Sequence, residues 1–107
     1  MEIKAIFRSI QNNFLFSEAE IYKFFDYIIS KYNLYIKNKK IIIRDDEKFS
    51  SFLLETDKFL LSLNYWEKID YCFVYISSDY LNLSDIIKEI INYLKPENIK
   101  LINERIE

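Results

Sequence analysis

The 107-residue sequence has no glycine and no histidine, and only one cysteine, one proline and one tryptophan. Without glycine there is no Walker loop, Rossmann fingerprint, Gly-flanked nucleophile elbow or KH-type clamp, because each uses backbone that glycine supplies. Without histidine there is no Ser-His or Cys-His pair and no imidazole metal ligand. Cys72 alone makes neither an intramolecular disulfide nor a zinc site of the usual kind. No segment approaches the roughly 18 uncharged apolar residues of a membrane span. Met1 to Asn13 carries Glu2, Lys4 and Arg8 where a signal peptide would be apolar. These absences predict a cytoplasmic protein that is not an enzyme, with no cofactor, no metal and no catalytic residue.

What is present suits an ordered fold. Half of the residues are hydrophobic, 30% are charged, and nine Tyr and nine Phe supply apolar area for one core, so residues 1–107 read as a single compact α+β domain. The net charge of −2 gives no global attraction to a polyphosphate.

Periodicity divides the chain. Ile3, Ile6, Phe7 and Ile10 carry the spacing of a short amphipathic helix ending near Asn12 and Asn13, although the same residues also suit a strand. Ser17-Glu18-Ala19-Glu20 is a capping box, with Phe16 and Ile21 placed as a hydrophobic staple. The helix it opens runs through Phe24, Phe25, Ile28, Ile29 and Tyr32 to Asn33, a residue suited to the left-handed cap. Two β-forming runs, 34–37 and 40–44, flank Asn38-Lys39 as a hairpin. A third helix is expected over 47–63, a buried interior strand over 69–76, a fourth helix from Asn82 to the Pro96 stop, and a last strand over 99–102. The order is ααββαβαβ. It describes a mixed sheet of about four strands, a hairpin plus a parallel βαβ unit, packed with about four helices.

Four groups of residues could carry function. Asp45, Asp46, Glu47 and Lys48 contain the acid-x-Lys spacing of metal-dependent nucleases, and equally the negative charge that a helix N-terminus favours. Lys37, Lys39, Lys40 and Arg44 form a basic hairpin for nucleic acid, or a solvated edge that discourages aggregation. Cys72 lies in an apolar run and reads as structural. Tyr65, Trp66 and Glu67, with Asp79 and Tyr80 after the central strand, are candidate anchors for another protein, since Tyr and Trp dominate binding hot spots.

Taken together, these features suggest a small non-catalytic protein-binding module. The expected function is a stoichiometric inhibitor of the anti-CRISPR or toxin-immunity type, occluding a nucleic-acid-processing enzyme or a toxin. The alternatives are a nucleic-acid-binding regulator using residues 37–44 and a metal-dependent nuclease. The apolar last strand, with Ile99, Leu101 and Ile102, also allows a homodimer.

Overall fold

Alternation with period two belongs to the strands, which take up nearly half of the chain. The computed structural model describes residues 1–11, 17–79 and 83–105, with side chains through 102. Its elements are β1 (Glu2–Ile10), α1 (Glu18–Tyr32), β2 (Ile36–Arg44), β3 (Phe49–Thr56), β4 (Leu60–Trp66), a 3-10 turn (Glu67–Ile69), β5 (Tyr71–Ser77), α2 (Leu83–Leu94) and β6 (Pro96–Arg105). The strands form one six-stranded sheet in the order β2-β3-β4-β5-β1-β6, and every pairing is antiparallel.

This corrects the expected mixed sheet of four strands and four helices. The first segment is a strand because Ala5 completes the alternation Ile3, Ala5, Phe7, all three buried. A small apolar residue is easily overlooked in such a pattern. The expected helix over 47–63 is the β3–β4 hairpin instead. Ser50, Phe52, Leu54 and Thr56 point inward from one arm, and Leu61, Leu63 and Tyr65 from the other. Its turn is closed by Thr56, whose Oγ1 accepts from the backbone N–H groups of Lys58 and Phe59 at 3.1 and 3.0 Å.

The expected 34–44 hairpin is a single strand, β2. Its reversal falls at Asp45–Lys48, where Lys48 takes φ 51°. The acidic run therefore makes a turn and not a helix start. β5 and β6 run the same way but do not touch, because β1 lies between them and is antiparallel to both. A parallel βαβ pair is thus replaced by a crossover that leaves a gap for the N-terminal strand.

α1 forms as its capping box implies. Ser17 Oγ accepts from the Glu20 N–H, and Asn33 closes the helix in the left-handed region at φ 54°, ψ 58°. α2 ends at Leu94 and is followed by Lys95, also at positive φ, before Pro96. Ile21, Phe24, Phe25 and Ile28 of α1, with Leu83, Ile86, Ile90 and Leu94 of α2, are buried against the inward residues of the strands. Each such side chain contributes about 1.5–3 kcal/mol. The Asn82 cap and the Phe16 staple lie outside the described residues.

Candidate functional site

Because strand side chains alternate, the core claims one face of the sheet, and among the described residues no helix lies on the other. β5, expected to be covered on both faces, is covered on one. Cys72, Val74 and Ile76 are fully buried, while Tyr71, Phe73 and Tyr75 are only half-buried on the open face. The register aligns the open-face residues in rows across the strands. One end row holds Arg44, Phe49, Trp66 and Tyr71, continued by Arg8. The opposite end row holds Glu55, Leu60, Ser77 and Glu2.

The first row is an aromatic ladder with an arginine at each end. Ring centroids of Phe49 and Trp66 lie 5.1 Å apart, and those of Trp66 and Tyr71 5.7 Å apart, both pairs tilted. Arg8 lies over Tyr71, 5.4 Å from the ring centre. Its Nη1 donates to the carbonyls of Ile69 and Asp70 at 3.2 and 3.1 Å. Asp70, itself at φ 51°, in turn accepts from the Ser9 N–H at 2.7 Å. The 3-10 turn therefore fixes this end of the ladder.

At the other end, Ile42, Arg44, Glu47, Phe49 and Trp66 line a shallow groove of about 260 Å³. Arg44 Nη1 and Glu47 Oε1 stand 3.7 Å apart, both exposed to water, so each charge remains available to a ligand. A flat π surface beside one cation and one anion can stack a heteroaromatic ring and hold a zwitterion.

A second pocket, about 380 Å³, opens at the opposite end row among Glu2, Glu55, Asp57, Lys58, Phe59 and Asp79. Several of its polar groups serve the fold. Asp57 Oδ1 accepts from the Tyr35 N–H at 2.9 Å, and Tyr75 donates its hydroxyl to Glu2 Oε2 at 3.0 Å. No cluster of three or more metal-ligating side chains occurs among the described residues.

The structure separates the residues proposed as protein anchors. Trp66 stands on the open face, 38% exposed, whereas Tyr65 faces the core at 5%. Burial raises the pKa of the Tyr65 phenol above the usual value. Glu67 begins the 3-10 turn, Asp79 lines the pocket at the far end, and Tyr80 lies outside the described residues. Lys37, Lys39 and Lys40 sit on the exposed edge strand β2, with Lys39 Nζ 4.5 Å from the Tyr22 ring centre. Asp45, Asp46, Glu47 and Lys48 are exposed turn residues. Cys72 is buried and burial pushes its thiol up to about 12, so it is no nucleophile at neutral pH.

Sequence reasoning found Trp66 and Arg44 but placed them in different sites. It missed Phe49 and Tyr71, because reading 47–63 as a helix hid the alternation that puts Phe49 beside Trp66.

No family model matches the chain, and no curated protein matches it. Among solved structures, the adenosylmethionine decarboxylase from Aquifex aeolicus is similar in fold, with a TM-score of 0.75 at 14% identity over 99% of this chain and 93% of that one. The expected inhibitor of anti-CRISPR or immunity type, with its two alternatives, is overturned. The chain instead takes, over nearly its whole length, a fold known from a decarboxylase structure, and among the described anchor residues Tyr65 is buried in the core while Trp66 stands exposed on the open face. Among the described residues no helix is long and apolar enough to cross a membrane.

Proposed function

We propose that this protein binds an adenosyl-type ligand on the aromatic row of its open sheet face and does not turn it over. The observation that carries the reading is the Phe49, Trp66 and Tyr71 ladder ending at the Arg44 and Glu47 charges. The solved neighbour is named for a decarboxylase of adenosylmethionine, a molecule with a purine, a sulfonium cation and a zwitterionic amino acid. A purine stacks on Trp66 and Phe49, and the sulfonium is attracted to the ring faces. The carboxylate suits Arg44 and the ammonium suits Glu47. That the protein binds without reaction is supported by the absence of histidine from the sequence and by the raised, buried thiol of Cys72. The single thiol also suits a cytoplasmic setting.

Trp66 is the only tryptophan, so intrinsic fluorescence reports on the site directly. Titration with S-adenosylmethionine should quench it saturably, and Phe49→Ala should weaken binding by about 1–3 kcal/mol, the usual worth of one base-aromatic stack. Assay of the same mixture for released carbon dioxide should find none. A flat titration, or one unchanged by Phe49→Ala, would overturn the ligand. Carbon dioxide release would overturn the non-catalytic part.

A further inference from the structure

The row beside the aromatic ladder has a polar centre. Ile42, Ser51, Asn64 and Phe73 stand in register across β2 to β5, and Ile42 also lines the groove formed with Arg44, Glu47, Phe49 and Trp66. Asn64 is half-buried on β4, an interior strand, although strands disfavour asparagine. Ser51 Oγ donates to its Oδ1 at 2.7 Å, and its Nδ2 donates to Ser62 Oγ at 3.3 Å. A carboxamide oxygen accepts two hydrogen bonds and its nitrogen donates two, so each serine takes half the capacity of one atom. Among the described residues one acceptor site and one donor then remain, side by side, on an amide held by both flanks.

Two residues along a strand rise about 6.8 Å. A purine stacked over Trp66 covers that distance with half its width and one hydrogen bond, so its edge meets the Asn64 amide. On the edge that carries N7, adenine offers N7 as acceptor and the N6 amino group as donor, the complement of a carboxamide, and asparagine reads it through a pair of bonds. Hypoxanthine and guanine offer N7 and O6, both acceptors, on the same edge, so the amide oxygen faces like polarity whichever way the amide is turned. We infer that Asn64 selects the base on the aromatic row, accepting from N6–H of an adenine through Oδ1 and donating from Nδ2 to its N7. Ser51 and Ser62 hold the amide on edge for that contact. The inference rests on the adenosyl reading above and adds to it the group that distinguishes one purine from another.

Trp66 fluorescence titrations with S-adenosylmethionine and with its hypoxanthine and 7-deazaadenine counterparts test this. The wild type should bind the adenine compound about tenfold or more tightly than either counterpart. Asn64→Leu keeps the size of the side chain and removes its hydrogen bonds, so the three compounds should bind within about twofold of one another. Asn64→Asp keeps an acceptor and loses the donor. It should bind the adenine and 7-deazaadenine compounds alike and still reject the hypoxanthine one. Equal binding of all three by the wild type, which depends on no variant's folding, would overturn the role of Asn64 and leave the adenosyl site standing. So would an Asn64→Leu variant that keeps the preference, or an Asn64→Asp variant that still distinguishes N7 from its carbon replacement. A wild type that binds none of the three overturns the site and this role together.

Discussion

At the scale of single residues, the sheet sorts side chains by parity, and neighbouring positions have opposite fates. Tyr65 is sealed in the core and Trp66 stands in the open row, a distinction that composition cannot make. Ser50 is the counterexample to good core design. It is fully buried on the helix-covered face, and its Oγ has no hydrogen-bond partner among the described residues. An orphaned buried hydroxyl costs about 1–3 kcal/mol. Ser50→Ala should therefore raise stability by about 1 kcal/mol in urea unfolding, and a loss of stability on that substitution would show that the hydroxyl is satisfied. Ser50 was legible as a β3 residue only once the alternation of 49–56 was preferred to a helical stripe. Its mixture of Ser, Phe, Leu and Thr satisfies both periods.

At the scale of elements, α1 was the most legible part of the chain, because its two ends are written in local chemistry. The left-handed Asn33 is the position a glycine would ordinarily occupy, and the sequence has none. Asn33→Gly should leave stability nearly unchanged, whereas Asn33→Val should cost about 1–2 kcal/mol by thermal or urea melt, because a β-branched residue resists positive φ. Equal melts for the two variants would contradict this.

Between the helices, the Lys31 ammonium hydrogen-bonds the Glu89 carboxylate, and the Tyr27 and Tyr32 hydroxyls also reach it. The hydrogen bond from Lys31 holds the Glu89 carboxyl below the usual range, and Glu89 holds the Lys31 ammonium above its own. A depressed carboxyl stabilises the fold above its unfolded pKa, about 4.3, and that stability is lost as pH falls through the folded value. The urea midpoint of Glu89→Gln should therefore trail the wild type at pH 7, with the gap closing below about pH 4. A gap that persists unchanged in acid would rule out this linkage. No sequence rule pairs residues 31 and 89, since their approach depends on both helices lying on the same face of the sheet.

At the scale of the whole molecule, the strand order was the part least written in the sequence. The last crossover was readable, because a strand, a helix and a strand follow one another after residue 70. The insertion of β1 between β5 and β6 was not, because a long-range pairing leaves no local signature, and Ile3 to Ile10 satisfied the helical stripe as well. The same ambiguity concealed the candidate site. With β3 and β4 read as one helix there was no sheet face on which Phe49, Trp66 and Tyr71 could align, and the aromatics appeared as scattered anchors. Once the sheet is known, its two ends differ in charge and chemistry, aromatic and cationic at one, acidic at the other. The most direct measurement is a backbone amide chemical-shift titration of the labelled protein with S-adenosylmethionine. Saturable shifts centred on Ile42, Arg44, Glu47, Phe49 and Trp66 are the predicted result. Shifts centred on the acidic pocket of Glu2, Glu55, Asp57 and Asp79, or no shifts at all, would contradict the assignment of the aromatic row as the ligand site.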